Sequence, residues 1–171
     1  MFKFKWYYFL VMMLPFLFAA CDRNDDDEII EYDDDIWDVI QELPQLSTLE
    51  VAVTKAGLVT DLDDDKANLT IFAPVNAAFE ALPEGELASW LADPTGKLTT
   101  VLQYHAIDGV YTPDLLKKNS SLTTTNGETV KITHSGNQIK VNGTVISEPI
   151  YVTNGVIYLI SSVLMPPSLS E

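Results

Sequence analysis

The stretch that most constrains the fold is the apolar segment from Ile150 to Leu164. Asn154-Gly155 separates two runs of β-branched and aromatic residues, and this pair accepts positive φ at both centres of a type I′ turn. The second run, from Val156 to Leu164, is apolar at almost every position, which is typical of a strand covered on both faces. The segment therefore predicts a β-hairpin whose second arm is the central strand of the domain.

The spacing of apolar residues changes along the chain, and the change predicts an α+β fold. Leu98, Val101, Leu102 and His105 recur at the spacing of one helix face. From Leu122 onward the spacing becomes two, as in strands with one polar face. Four turn signals separate the strands: Asn126-Gly127, Ser135-Gly136-Asn137, Asn142-Gly143 and Asn154-Gly155. Helices followed by strands indicate an antiparallel sheet with the helices packed on one side.

Local signals predict where the first helices begin and end. Ser47-Thr48-Leu49-Glu50 has the pattern of a capping box, and Gly57 suits the left-handed residue that ends the same helix. Leu69 to Ala73 predicts a strand that Pro74 stops. Asn76 is then placed as the N-cap of a short helix.

Residues 1–20 predict a lipoprotein signal peptide. Two lysines precede an apolar run from Trp6 to Phe18, which is too short to span a bilayer. Cys21 follows and is the only cysteine in the sequence. Leu17-Phe18-Ala19-Ala20-Cys21 resembles the bacterial lipobox, which implies lipid on Cys21 and attachment to a membrane. An ordinary cleaved signal followed by an incidental cysteine is the alternative.

Residues 21–35 predict an extended acidic tether, because like charges repel and few apolar groups are available to bury. A chain that starts at Cys21 has 25 acidic and 8 basic residues, a net charge of −17. This charge argues against nucleic acid as a partner. The acidic stretch also resembles the export signal of surface-displayed lipoproteins in the Bacteroides group. A solvated spacer without a targeting role is the alternative.

Few residues suit catalysis or metal binding. Asp61, Asp63 and Asp65 copy the first ligands of a calcium loop, but the required glycine and glutamate are absent, so we expect a solvated acidic loop. His105 continues an apolar stripe, which predicts a buried ring bonded to a backbone group rather than a ligand or a catalyst. The sequence has neither a phosphate-binding loop nor a nucleophile elbow. It therefore predicts no enzyme, no cofactor and no metal site.

Three motifs, which occur in the expected order, resemble those of fasciclin domains, and the resemblance covers Ile36 to Pro166. The first is Thr70-Ile71-Phe72-Ala73-Pro74-Val75-Asn76-Ala77-Ala78-Phe79, the second is Leu102-Gln103-Tyr104-His105, and the third begins at Thr153-Asn154-Gly155. Thr70, Phe72, Pro74, Asn76, Phe79, Asn154 and Gly155 are the expected structural residues. We therefore place one fasciclin-like domain at residues 36–167 and a tail at residues 168–171.

The resemblance implies a wedge-shaped antiparallel β-sandwich flanked by helices, without enzymatic activity. It makes Tyr104 and His105 candidates for adhesion, although an internally bonded Tyr104 hydroxyl would make that residue structural. Glu148, Pro149 and Ile150 are similar to part of an integrin-contact motif of animal members. The aspartate expected between Pro149 and Ile150 is absent, so integrin binding is not carried over.

Two functions follow from these features. The first is a non-catalytic, lipid-anchored adhesion or interaction module of the cell envelope, an outer-membrane lipoprotein exposed on the surface, with an unknown protein or glycan ligand. The second is a glycan-binding accessory subunit of an outer-membrane uptake system. That alternative requires Trp37, Trp90 or a tyrosine to form an exposed stacking platform, whereas helical spacing favours core positions.

Overall fold

The computed structural model describes residues 30–31 and 33–169. Within them the helices are α1 (Ile36–Glu42), α2 (Ser47–Ala56), α3 (Val59–Leu62), α4 (Asn76–Glu80), α5 (Glu86–Ala92), α6 (Thr99–Tyr104) and α7 (Pro113–Lys118). The strands are β1 (Ile30–Glu31), β2 (Leu69–Pro74), β3 (Ala106–Asp108), β4 (Ser121–Thr123), β5 (Thr129–Ser135), β6 (Gln138–Val141), β7 (Thr144–Val145), β8 (Ile150–Val152) and β9 (Gly155–Ile160). A 3₁₀ turn, Pro44–Leu46, joins α1 to α2, and a π-helical turn, Pro94–Leu98, leads into α6. This arrangement confirms the α+β class.

The two described sheets have the strand orders β1-β8-β9-β2-β3 and β4-β5-β6-β7. Strand β9 is the central strand of the first sheet, as predicted, and five of its six residues are buried. It ends at Ile160, however, and not at Leu164 as the apolar run predicted. The meander from β4 to β7 and the β8–β9 hairpin are antiparallel, also as predicted. Strand β2 pairs with β9 in parallel, and β1 pairs with β8 in parallel. These pairings join distant parts of the chain, which the spacing of apolar residues does not encode.

Two hydrophobic cores lie on opposite faces of the first sheet. Alternate residues of β9 divide between them: Ile157 packs against the helices, while Val156 and Tyr158 pack against the second sheet. Strand β2 divides in the same way, with Ile71 on the helix side and Phe72 between the sheets. Because side chains alternate along a strand, one strand can supply both cores only if it is apolar throughout. That requirement explains the continuous apolar run.

The hairpin between β8 and β9 forms, but its turn is one residue earlier than predicted. Val152 pairs with Gly155, so Thr153 and Asn154 are the two turn residues. Gly155 has no positive φ and is the first residue of β9. A Cβ at Gly155 would collide with the backbone oxygen of Leu69. Glycine is therefore required here by the close approach of β2, not by the turn.

The predicted turn chemistry occurs instead between β6 and β7. Asn142 has φ 49° and Gly143 has φ 88°, and they connect the paired residues Val141 and Thr144. Positive φ at both centres is the signature of a type I′ turn. The same dipeptide therefore has different roles in different hairpins.

The capping box at Ser47 does not form, and Asn76 is not an N-cap. Ser47 is the first residue of α2 with helical φ and ψ, and Val75 precedes α4 in the cap position without a side-chain bond. The Asn76 side chain caps α2 instead, because its Oδ1 accepts from Thr48 N at 3.0 Å. Its Nδ2 donates to Pro44 O and to Ser47 Oγ, each at 3.0 Å. The helix therefore receives its cap from a residue distant in sequence.

The end of the predicted tether belongs to the domain. Ile30 and Glu31 pair with β8, and the Asp35 side chain caps α1 by accepting from Asp38 N at 2.9 Å. The predicted signal peptide, Cys21 and most of the acidic stretch lie outside the described residues. No helix in the described part of the chain is long and apolar enough to cross a membrane.

Candidate functional site

Tyr104 and His105 lie where α6 passes into β3, and both are buried, with exposed fractions of 1% and 3%. The two side chains serve different cores. Tyr104 belongs to the core between the two sheets. His105 ends α6 and lies beside Val101 of the helix-side core. The Tyr104-His105 motif therefore lies at the junction of the two cores.

The His105 ring is fully bonded to the backbone. Its Nδ1–H donates to Val101 O at 2.7 Å, and its Nε2 accepts from Leu164 N at 2.9 Å. These partners select the neutral tautomer with the proton on Nδ1. Burial lowers the pKa of His105 to about 4, although the bond to Val101 acts in the opposite direction. The prediction of an inward-facing histidine is confirmed, because neither ring nitrogen is available to a ligand.

The Tyr104 hydroxyl is bonded internally, as the structural reading of the motif requires. It donates to Thr129 O at 2.9 Å and accepts from Asn142 Nδ2 at 2.9 Å. Asn142 in turn pairs with the backbone of Lys131 through its own N and Oδ1, each at 2.8 Å. Tyr104 therefore ties α6 to strand β5 and to the turn after β6.

The first motif supplies structural contacts in both cores. Thr70 Oγ1 donates to Gly109 O at 2.6 Å and accepts from Tyr111 N at 2.9 Å. Phe72 packs against Tyr158 with ring centroids 6.0 Å apart. The remaining motif residues lie at the end of β2 and in α4: Pro74, Asn76 and Phe79. Their packing and bonds give each a structural role.

Asn154 has the most extensive polar contacts of the third motif, which the turn rule did not reveal. It is 1% exposed, and its Oδ1 accepts from Ile36 N at 2.9 Å. Its Nδ2 donates to Leu62 O at 2.7 Å and to Asp64 O at 3.3 Å. One side chain thus joins the start of α1, the end of α3 and the central hairpin. The one signal for this role in the sequence is that a polar asparagine directly precedes an apolar strand.

The Glu148–Ile150 segment contains the accessible part of the predicted site. Glu148 is exposed, Pro149 is half-buried, and Ile150 is buried in the helix-side core. Glu148 lines an open groove of about 370 Å³ at the edge of the second sheet. Other residues of this groove combine apolar and polar groups: Pro113, Asn137, Gln138, Ile139, Val145, Ile146, Ser147 and Tyr158. We call this concavity the Glu148 groove.

Tyr158 lies beneath the Glu148 groove and is completely buried, and Tyr151 is its neighbour outside the groove lining. Burial, followed by the charges of the neighbouring Tyr151 and of Glu148, raises the pKa of Tyr158. Its hydroxyl donates to Tyr111 O at 2.7 Å. Burial, with a contribution from Asp114, raises the pKa of Tyr151. The charged group that the groove presents to a partner is therefore the exposed Glu148 carboxylate, which suits hydrogen-bond donors or positive charge.

The aromatic residues proposed for glycan stacking are poorly placed. Trp90 is completely buried, and its Nε1 donates to Glu86 Oε1 at 3.1 Å, so it is not a stacking platform. Trp37 is half-buried against the helix-side core.

His134 is exposed near the end of β5. Asp63 is exposed next to Asp35, whose carboxyl hydrogen bond and charge raise the pKa of Asp63.

A family model described as "Fasciclin domain" matches residues 44–166. Protein sll1483 of Synechocystis is 37% identical over 123 residues, which are 71% of this chain and 67% of that protein. Immunogenic protein MPB70 of Mycobacterium bovis is 34% identical over 131 residues, 73% of this chain and 65% of that protein. Rabbit transforming growth factor-beta-induced protein ig-h3 is 33% identical over 134 residues, 78% of this chain but 19% of that protein. The chain thus spans a small part of the animal relative.

A solved structure supports the same fold. The domain pair of fasciclin I, an insect cell adhesion molecule, superposes with a TM-score of 0.64 at 18% identity, over 79% of this chain and 52% of that chain. An identity this low supports the fold alone. The agreement between the family model, the relatives and the architecture leads to one conclusion: this chain belongs to the fasciclin domain family.

Proposed function

We propose that this protein is a non-catalytic adhesion and interaction module, anchored by lipid on Cys21 in the outer membrane and exposed on the cell surface. A protein with the same fold, fasciclin I, is an insect cell adhesion molecule. The sequence features that support the anchor are the lipobox-like residues before Cys21 and the acidic stretch after it. The anchor would hold the domain at the surface while the tether gives it reach.

The observation that carries the proposal is the internal bonding of the Tyr104-His105 pair. Both His105 nitrogens bind backbone groups, and the Tyr104 hydroxyl has two internal partners. A general base needs a free nitrogen within reach of a substrate proton. The Tyr104-His105 motif therefore has a structural role, and we expect an adhesion partner to bind an exposed surface.

The Glu148 groove is the surface that we assign to adhesion. It is open, contains the exposed Glu148 and is bordered by Val145, which is 40% exposed. Large exposed apolar residues are rare among the described residues, so one next to a groove is a reasonable anchor for a partner. Glu148 adds a charge that favours partners with basic groups.

The anchor is tested by fractionation combined with protease treatment of intact cells. Wild-type protein should sediment with the outer membrane and be cut by external protease, whereas Cys21→Ser should be lost from the membrane fraction. Wild-type protein in the soluble fraction would refute the anchor. Membrane-bound protein that external protease cannot reach would refute surface exposure.

Adhesion is tested with cells that carry anchored groove variants, on panels of matrix proteins, host cells and glycans. Val145→Asp and Glu148→Lys should reduce binding to the component that wild-type cells recognise. Val51→Asp is the matched control, because Val51 is 49% exposed on α2, away from the groove. Binding that survives both groove variants would reject this surface. Binding confined to glycans would favour the uptake-subunit alternative.

A further inference from the structure

A second concavity, distinct from the Glu148 groove, lies between the helices and the first sheet. Its volume is about 350 Å³, within the range of roughly 300 to 1,000 Å³ that is usual for small-molecule sites. We call it the helix–sheet cavity. It opens beside β3 and the loop between α3 and β2, and nothing in the adhesion proposal uses it.

The inner wall of the helix–sheet cavity is apolar. Leu49 and Val53 of α2, Leu62 of α3 and Ile71 of β2 line it, and all four are buried. Ala106 of β3 also lines the cavity, where a larger side chain would occupy part of the space. An apolar concavity of this kind attracts the apolar part of a ligand, because its contact with water is unfavourable.

The mouth of the cavity is negatively charged. Asp61, Asp64 and Asp108 lie among its lining residues and are exposed, and the lining includes neither lysine nor arginine. Asp64 Oδ1 accepts from Lys66 N at 2.9 Å. Within the described residues, the carboxylates of Asp61 and Asp108 have no hydrogen-bond or ion-pair partner. They can therefore pair with a ligand without first breaking an internal contact.

We propose that the helix–sheet cavity binds a small amphiphile with a cationic amine, its apolar body inside and its ammonium group among Asp61, Asp64 and Asp108. The apolar wall sets the requirement for a hydrophobic body, and the three carboxylates set the sign of the head group. An anionic amphiphile of the same length meets the same wall but is repelled at the mouth. This inference does not depend on the lipid anchor or on adhesion.

The test measures binding of octylamine, octan-1-ol and octanoate, below their aggregation concentrations, to the full chain carrying Cys21→Ser, which keeps lipid and detergent out of the assay. NMR chemical shifts locate the binding site, and titration gives the affinities. Octylamine should shift cavity residues such as Leu62 and Ile71, and octanol should bind about tenfold more weakly, since each exposed charge pair contributes modestly. Octanoate should bind more weakly than octanol, and salt should weaken octylamine binding.

Two sets of variants separate the cavity from its charged mouth. Asp61→Asn with Asp108→Asn removes two of the three carboxylates, so it should weaken octylamine binding about fivefold and leave octanol binding unchanged. Glu80→Gln with Glu84→Gln is the matched control, because it removes the same charge from exposed positions outside the cavity lining. Ala106→Leu should weaken all three probes by reducing the cavity volume.

The proposal is overturned by any of three results: shifts that map away from the cavity, equal affinity for octylamine and octanoate, or unchanged octylamine affinity in the Asp61→Asn, Asp108→Asn double variant. Since that double variant changes only exposed residues, its fold can be verified from the unchanged spectrum, and it remains informative if Ala106→Leu fails to fold.

Discussion

The buried His105 makes folding stability depend on pH in a calculable way. Its pKa in the folded protein is about 4, against the ordinary value of 6.5. Above the ordinary value the ring is neutral in both the folded and the unfolded chain. As the pH falls below it, the unfolded chain binds a proton that the folded chain does not bind until about pH 4. The contribution of the neutral His105 to the free energy of unfolding is therefore fully present above pH 6.5, and it is lost as the pH falls from there to about 4.

The size of the loss follows from the two pKa values. The difference between them corresponds to about 3 kcal/mol, which is lost in full once the pH is below both values. Between pH 7 and pH 5, protonation of this histidine alone should lower the free energy of unfolding by about 2 kcal/mol. Protonation is opposed by burial and also by geometry, because Nε2 accepts the Leu164 N–H and would have to abandon that bond.

The assay is urea unfolding at several pH values for wild type and for His105→Asn. Carboxylates titrate in both proteins, so the difference between their pH dependences isolates the histidine. His134→Asn is the matched control, because it removes the other imidazole, which is exposed. Identical pH dependence in wild type and His105→Asn would show that His105 does not control the loss of stability. So would an NMR titration that places the His105 pKa at its ordinary value.

Three further predictions concern single side chains. Asn154→Asp should cost about 3 kcal/mol or more in urea unfolding, since a carboxylate oxygen would face Leu62 O where an amide donor now lies; a cost below about 1 kcal/mol would contradict this role. Tyr104→Phe should cost about 1–3 kcal/mol by leaving Thr129 O and Asn142 Nδ2 without their partner, yet cells carrying the folded variant should adhere normally. Asp63→Asn should raise the melting temperature at neutral pH, because the raised pKa of Asp63 next to Asp35 means that stability falls as the pH rises through it. An unchanged pH profile of melting would reject that pairing.

Sequence patterns predicted the features that depend on local periodicity. The apolar run of β9 predicted a strand covered on both faces, and the structure has it between two cores. The helical stripe that ends at His105 predicted a buried ring bonded to the backbone, which its two bonds confirm. In both cases the physical cause, burial of one face or of both, leaves a repeated signature in neighbouring residues.

Features that depend on distant partners were not predictable. Asn76 and Asn154 were assigned by local rules to a cap and a turn, but both bind backbone groups of segments at least 28 residues away. Neither their partners nor the parallel pairing of β2 with β9 leaves a periodic signal. The Glu148 groove and the helix–sheet cavity are also products of assembly, since each is lined by several segments that are separate in sequence.

We propose that lipid on Cys21 holds this fasciclin domain at the envelope. The sharpest test of this attachment is metabolic labelling with an alkyne-bearing fatty acid, followed by detection of the purified protein. Wild-type protein and Tyr104→Phe should both carry the label, and Cys21→Ser should carry none. Unlabelled wild-type protein, or label that persists in Cys21→Ser, would rule out lipid on Cys21.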